Sequence, residues 1–200
     1  MSSGRKKSFD ESTALNAAMD VFWQKGYVGA SLADLTQRMG INKPSMYSTF
    51  GNKEDLFIKA TQCYIDTKVK AHVDLLFAEG VSLKQRLKNH MMSIVAMQCA
   101  SEQAKGCYLV LCQSELVSGD IPEQAAKLLK EADAMPSQMY TTFFNTDEES
   151  IELGLDKNAQ ANGLSIHTVL KGTASMARSG IDQSQLEYII DSMLTGIGVH

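Results

Sequence analysis

The sequence has few residues that break helices. It contains only three prolines among 200 residues, and no alternating polar and apolar pattern or hairpin dipeptide predicts a strand. Methionine occurs eleven times beside many Ala, Leu, Gln, Lys and Glu residues, which favour helices. A hydrophobic fraction of 44% is typical of globular proteins and excludes a disordered or fibrous chain. These features predict an all-α globular protein.

Long apolar runs are also missing. The longest extends only from Cys107 to Cys112, whereas a membrane-spanning helix needs roughly 18–20 apolar residues. The basic N-terminus is followed by Asp10 and Glu11 rather than by an apolar stretch, so no secretion signal is predicted. The four cysteines contain no C-x-x-C pair. Reduced thiols and a cytoplasmic location without a membrane segment are therefore expected.

Motifs of catalysis and cofactor binding are missing as well. The sequence contains no Gly-rich phosphate loop, no recognisable Ser/His/Asp order and no paired carboxylates. His72, His90, His167 and His200 share no metal-ligand spacing with cysteines or acidic residues. We therefore predict no enzyme activity, no metal and no cofactor. A thiol-dependent enzyme on a helical bundle is kept as a rival interpretation, which measured turnover would support.

Positive charge is scarce overall but unevenly distributed. The net charge is −4, which by itself argues against a nucleic-acid partner. Residues 1–59 carry eight Lys or Arg against six Asp or Glu, a net charge of +2. Residues 60–200 carry eleven against seventeen, a net charge of −6. A weakly basic N-terminal part on an acidic body is compatible with a DNA-binding head.

Capping residues and glycines divide the first part into short helices. Ser8 with Glu11, and Ser31 with Asp34, have the spacing of capping boxes, and Asn52 can cap a fourth helix. We expect helices that end at Gly26, at Gly40 and near Gly51, then a long unbroken connector over about 53–79. Further helices are expected at about 82–101, 104–118, 121–146, 158–179 and 183–197. The predicted domains are a helix-turn-helix head at 1–51 and a bundle at 52–200.

The third short helix has the composition of a DNA-reading helix. It is rich in short polar side chains and holds one lysine, which suits the edges of bases in the major groove. Lys43 suits guanine, whereas hydroxyl groups and the first amides of the next helix suit phosphate. The candidate residues are Asn42, Lys43, Pro44, Ser45, Tyr47, Ser48, Thr49 and Lys53.

The same stretch resembles the tetracycline-repressor-like (TetR) family of bacterial transcriptional regulators. The resemblance is carried by Ala18, Phe22, Gly26-Tyr27, Ser31-Leu32, Asp34-Leu35, Gly40-Ile41-Asn42, Ser45-Met46-Tyr47 and Phe50 to Leu56. It implies a homodimer whose heads bind a palindromic double-stranded DNA operator and whose helical C-terminal domain binds an inducer.

The resemblance also implies roles for single residues. Ser31 would contact phosphate, Lys43, Pro44 and Ser45 the bases, and Tyr47, Thr49 and Lys53 the DNA backbone. The basic tripeptide Arg5, Lys6 and Lys7 would form an arm along the DNA. Thr36 and Met39 stand where the family usually has alanine, so the packing of the two helices is expected to differ.

The C-terminal part offers a candidate pocket and a candidate sensor. Lys105 to Val110, followed by Glu115, is similar to a segment of one subset of the family. A pocket for an unknown small-molecule inducer is expected, although the same residues can equally be core. Cys107 is either a buried apolar residue or a thiol that senses oxidants or electrophiles. The candidate pocket residues are Met97, Cys107, Tyr108, Leu111, Met135, Met139 and Phe143.

The last two helices are predicted to form the dimer interface. The first carries small residues at near-helical spacing, and the second carries an apolar set from Ile189 to Ile197. The protein is predicted to be a transcriptional regulator, namely a repressor that a small-molecule inducer releases from its operator. The alternatives are a regulator that senses through Cys107 and a module that has lost DNA reading.

Overall fold

The computed structural model describes residues 9–100 and 104–200. All regular secondary structure in these residues is helical, which confirms the predicted all-α class. The α-helices are α1 (Glu11–Gly29), α2 (Leu32–Met39), α3 (Lys43–Phe50), α4 (Lys53–Tyr64), α5 (Lys70–Val73), α6 (Leu83–Ala100), α7 (Tyr108–Ser114), α8 (Glu123–Thr146), α9 (Glu148–Glu152), α10 (Ala159–Arg178) and α11 (Gln183–Gly196).

The caps of the N-terminal helices set their boundaries. Ser31 and Asp34 form the predicted capping box of α2, and Gly40 ends that helix in the left-handed conformation. The predicted start of α1 at Ser8 is wrong. Helix α1 begins at Glu11, and its N-cap is Asp10, whose carboxylate accepts from the Thr13 amide at 2.7 Å. Ser8 itself lies outside the described residues.

The regular part of α1 ends at Gly26, as predicted, and a kink there joins it to one further turn that reaches Gly29. Gly26 has φ of 72° and ψ of −176° within a helical assignment that continues to Gly29. A positive φ is accessible to glycine because it has no Cβ. The kink turns the amides of Tyr27 and Val28 toward the C-terminal part of the chain.

The connector predicted at 53–79 is helical without interruption from Lys53 to Phe77, but it is not one α-helix. Helix α4 passes at Tyr64 into a π-helical segment, Ile65–Val69. The short α5 follows, and the connector ends in a 3₁₀ turn, Asp74–Phe77. No glycine or proline marks this change. The side-chain pattern stays helical, so sequence periodicity does not distinguish a π segment from an α-helix.

The C-terminal bundle is centred on α6, α8, α10 and α11. Helix α8 runs from Glu123 to Thr146 with Pro136 inside it, and it packs extensively along α10. Gly163 on α10 allows this close approach because a Cβ there would lie 3.0 Å from the Thr141 amide nitrogen. Between α8 and α10 the chain forms α9 and a 3₁₀ turn, Leu155–Asn158.

Two apolar cores hold the chain together. The first joins the head helices to α4, α7 and the start of α8, and it includes Phe22, Phe57 and Tyr108. The second fills the bundle around α6, α10 and α11. The core of the head therefore extends past residue 51 into the C-terminal part.

Candidate nucleic-acid interface and ligand cavity

Helix α3 presents a polar face because only its inner side is buried. Met46 and Phe50 lie in the first core, with 0% and 4% of their surface exposed. The Asn42 side chain caps the helix by accepting from the Ser45 amide at 2.8 Å, and Pro44 lies in the first turn. A capped helix with its apolar side fixed holds its outer side chains in a defined orientation.

The predicted DNA-contacting residues of α3 and its N-cap lie outside the buried part of the first core. Asn42, Lys43, Pro44, Tyr47 and Ser48 are exposed, whereas Ser45 and Thr49 are half-buried. The sequence left open whether Tyr47 packs beneath α3, and 47% of its surface is exposed. Arg5, Lys6 and Lys7 lie outside the described residues.

The start of α4 adds a second group of donors beside α3. Asn52 and Asp55 form a capping box there. The Lys53 Nζ lies 4.4 Å from the centroid of the Tyr27 ring. Partial burial lowers the pKa of Lys53, and the charge of Glu115 opposes this shift. Lys59, which the sequence analysis missed, donates to the Phe50 carbonyl at 2.8 Å and so satisfies the end of α3.

The two departures from the family pattern fit into the head without leaving polar groups unpaired. Met39 is buried, and the Thr36 hydroxyl donates to the Leu32 carbonyl at 2.8 Å.

An ion pair between Lys25 and Asp34, at 2.6 Å, connects α1 to α2. Hydrogen bonds from Lys25 and Ser31 lower the pKa of Asp34 to about 2.

A cavity of about 500 Å³ lies in the C-terminal part, between the connector and α6, α7, α8 and α10. Its volume falls within the roughly 300–1,000 Å³ range of small-molecule sites. Four of the predicted pocket residues line it: Met97, Cys107, Met135 and Met139. Met135, one of these residues, is 51% exposed.

The other three predicted pocket residues do not line the cavity, which corrects the prediction. Tyr108 is fully buried in the first core, and its hydroxyl lies 2.8 Å from that of Thr61. Phe143 is buried against Phe77 in the second core. Leu111 is half-buried outside the cavity lining. Helical spacing alone did not distinguish these residues from the cavity-lining ones, because residues of the same helix contact either a core or the cavity.

The polar part of the cavity wall was not predicted from the sequence. His72, His90 and His167 line it, together with Lys70 and Lys171. Burial lowers the pKa of each histidine, that of His90 to about 4. No sequence signal groups these residues, because they come from three helices far apart in the chain.

The described ranges, 9–100 and 104–200, contain neither a membrane-spanning helix nor a metal-binding cluster. Every helix in them is too short or too polar to cross a lipid bilayer. Likewise, the side chains placed in these ranges form no cluster of three or more His, Cys, Asp or Glu residues arranged to hold a metal ion.

Comparison with known proteins identifies the class. Residues 14–60 match the family model described as "Bacterial regulatory proteins, tetR family". The chain is 31% identical over 182 residues to the uncharacterized HTH-type transcriptional regulator YezE of Bacillus subtilis (strain 168), covering 88% of this chain and 93% of that protein. It is also 31% identical to the HTH-type transcriptional repressor ComR of Escherichia coli (strain K12), covering 96% of this chain and 91% of ComR.

A solved structure agrees with this class. The fold is similar to that of a cysteine-substituted TetR family transcriptional regulator CifR in complex with 26-bp operator DNA, with a TM-score of 0.83 and 28% sequence identity, covering 96% of this chain and 98% of that chain. The chain belongs to the TetR family of DNA-binding transcriptional regulators. Members of this family are generally not enzymes.

Proposed function

We propose that the protein is a homodimeric transcriptional repressor that binds a palindromic operator and is released by a small-molecule inducer. The exposed polar face of α3, beside the N-terminus of α4, carries the proposal for DNA binding. The repressor ComR among its relatives and the operator complex of CifR support it. The protein acts in the cytoplasm because bacterial operator DNA lies there.

Selection of bound DNA tests the operator. The purified full-length protein is incubated at moderate salt with a random duplex pool, and the bound fraction is sequenced. An enriched palindrome whose half-sites lie about one helical turn, ~34 Å, apart supports a dimeric reader. Binding without enrichment, which falls steeply with salt alone, contradicts sequence-specific regulation and favours the module that has lost DNA reading.

The outer face of α10 supports the proposed dimer interface. Leu164 and Met176 are exposed on this helix, and a Cβ at Gly172 would have no atom within 4 Å. Small residues on an exposed helix face allow a second helix to approach closely. Within the predicted α11 set, Ile190 and Leu194 are buried in the monomer, so they belong to the second core and not to the interface.

The cavity supports release by an inducer. Tyr64 and residues of the connector form one of its walls, and helix α4 continues from this wall to the head. A ligand that fits one connector position better than another shifts the spacing of the two heads. Inducer and operator then weaken each other's binding by the same factor, which parallel titrations of each in the presence of the other measure.

A second candidate signal is oxidation or alkylation of Cys107. Its sulfur lines the cavity and lies 3.4 Å from the Tyr64 hydroxyl. Replacing Cys107 with Ser abolishes release by hydrogen peroxide or an alkylating agent if the thiol is the sensor. Cys112 provides the matched control, because it is fully buried and burial raises its pKa well above the ordinary range.

A further inference from the structure

The charged side chains at the cavity have partners outside it. Lys171 Nζ lies 2.6 Å from Asp133 Oδ1, and Lys70 Nζ lies 2.7 Å from Asp66 Oδ1. Both ion pairs are partly solvent-exposed, so the lysines contribute their aliphatic stems to the wall. The set of lining residues contains no Asp or Glu.

The hydrogen bonds of the histidines define which ring nitrogens are free. His90 Nδ1 donates to the His72 carbonyl at 2.7 Å, so its Nε2 accepts from the Tyr140 hydroxyl at 2.6 Å. The Ser93 hydroxyl donates to the His90 carbonyl. It therefore accepts from His72 Nδ1 at 2.8 Å, since one hydroxyl has one proton to donate. This assignment leaves His72 Nε2 as an acceptor at the cavity wall.

We propose that the cavity binds an uncharged, mostly apolar molecule whose hydroxyl or N–H group donates to His72 Nε2. A charged ligand would lose its hydration in a wall without a free counter-charge, which is costly. An uncharged ligand buries its carbon skeleton against Ile94, Met97 and Leu109 and pairs its one donor. This inference rests on the proposed inducer site and specifies the chemistry of its ligand.

Four probes of matched size test the charge and the donor. Isothermal titration calorimetry with the full-length protein compares 1-octanol, octanoate, octylammonium and methyl heptyl ether. We expect 1-octanol to bind at least about tenfold more tightly than either ion, and several-fold more tightly than the ether, which has no donor. Replacing His72 with Leu is expected to remove the difference between alcohol and ether.

Three outcomes overturn the inference: an ion that binds as tightly as 1-octanol, an ether that binds as tightly, or no binding by any of the four probes. The proposed function fails separately. Operator release is measured with the same probes by fluorescence anisotropy, and binding of 1-octanol without release contradicts induction while the ligand class stands.

A carboxylate at the end of α7 joins the C-terminal part to the head. Glu115 directly follows α7, and its carboxylate accepts from the Tyr27 amide at 2.6 Å and from the Val28 amide at 3.2 Å. The positive φ of Gly26 exposes these two amides. Any Cβ at position 26 would collide with the Glu115 carboxylate. The Tyr27 ring in turn lies beneath the Lys53 ammonium.

We infer that Glu115 is a positioning residue for DNA binding. Its two hydrogen bonds hold the backbone of Tyr27 in place, and the Tyr27 ring beneath Lys53 keeps the ammonium at the N-terminus of α4, the proposed phosphate site. Loss of the carboxylate releases the Tyr27 ring and with it the orientation of Lys53. The inference rests on the proposed DNA contact of Lys53.

A double-mutant cycle on operator binding tests the role of Glu115. We expect Glu115→Gln to weaken operator affinity about tenfold and to reduce the slope of log affinity against log salt by about 1, the loss of one phosphate contact. Lys53→Ala is expected to do the same, and the double variant no more than either. Glu123→Gln, an exposed position at the start of α8, is the matched control.

A purely structural role predicts other results. Glu115→Gln would then lower the midpoint of urea unfolding, leave the salt slope unchanged and add fully to Lys53→Ala. Either an unchanged slope or full additivity overturns the inference. Should the variant not fold, Tyr27→Leu replaces it, because it keeps both amides and removes only the ring beneath Lys53. If the wild-type protein selects no operator, the proposed function fails instead.

Discussion

Single exposed side chains on α3 are proposed to distinguish one DNA sequence from another. Lys43 is exposed in the first turn, and Tyr47 lies one turn further along. An ammonium group can donate to guanine O6 and N7, whereas a phenol donates to a phosphate oxygen. The two residues are therefore expected to affect binding in different ways.

Replacing Lys43 with Ala is predicted to cost about 1–3 kcal/mol of operator affinity and to relax preference at one base pair, because a base contact carries sequence information. Tyr47→Phe is predicted to weaken all sequences equally. Anisotropy titrations on the selected operator and its single-base variants measure both effects. Lys84→Ala, at an exposed site on α6, serves as control, and equal losses on all sequences for Lys43→Ala contradict its reading role.

His90 makes the stability of the protein depend on pH. It is 1% exposed, and its pKa is lowered to about 4 because burial disfavours the charged ring. The pKa of His90 is therefore lower in the folded protein than in the unfolded chain, where it is about 6.5. The contribution of the neutral ring to the free energy of unfolding is complete above pH 6.5 and is lost as the pH falls toward 4. The loss is roughly 3 kcal/mol over this window.

Urea unfolding at a series of pH values measures this effect. Compared with the wild type, His90→Gln is predicted to lose less free energy of unfolding between pH 6.5 and 4, by roughly 3 kcal/mol. His72 and His167 contribute equally to the pH dependence of stability in the two proteins. Parallel curves for the two proteins would contradict the assignment.

At the scale of elements, side-chain caps fix where the short head helices begin. Asn52 accepts from the Asp55 amide at 2.9 Å, and Asp55 accepts from the Asn52 amide at 2.9 Å. The first turn of α4 therefore has its amides paired or directed outward for an anion. The same turn carries Lys53.

Removing this cap is predicted to cost about 1 kcal/mol of stability. Asn52→Ala leaves first-turn amides of α4 without an acceptor, so that turn loosens and the operator affinity falls as well. Asn52→Asp is the matched control, because it keeps the acceptor oxygen. Urea unfolding and anisotropy titration measure the two effects, and equal values for the Ala and Asp variants would show that the cap has no influence.

At the scale of the whole molecule, the first core joins the head to the C-terminal part and the second fills the bundle, while one face of α10 stays open. Exposed apolar side chains on α10 and α11 include Leu164, Met176 and Tyr188. The proposed two-fold dimer would bury such side chains, and two heads would be needed to read two half-sites.

Gly172→Arg is predicted to convert the dimer to a monomer without unfolding it. The monomer has open space at this position, so the fold tolerates the side chain, whereas two arginines would clash and repel across a two-fold axis. Sedimentation velocity and operator titration measure the expected loss of dimer and of tight binding. Gln124→Arg, at an exposed site on α8, should change neither, and a dimeric Gly172→Arg protein would place the interface elsewhere.

Most of the predictions that succeeded depend on local interactions, although the start of α1 at Ser8, also a local prediction, was wrong. The capping box at Ser31, the N-cap at Asn52 and the helix end at Gly40 require only neighbours within a few residues. The π segment after Tyr64 was missed, and Tyr108 was placed in the pocket although it is buried in the first core. Both depend on packing against distant helices.

The sequence by itself determined the helical class, the order of the head helices and the family, because periodicity, caps and a local motif encode them. Only the tertiary structure decided which side chains line the cavity and that Glu115 meets the amides of Tyr27 and Val28. The physical reason is distance along the chain. His72 and His167 share one wall, and Glu115 reaches a turn 87 residues away, which no local pattern records.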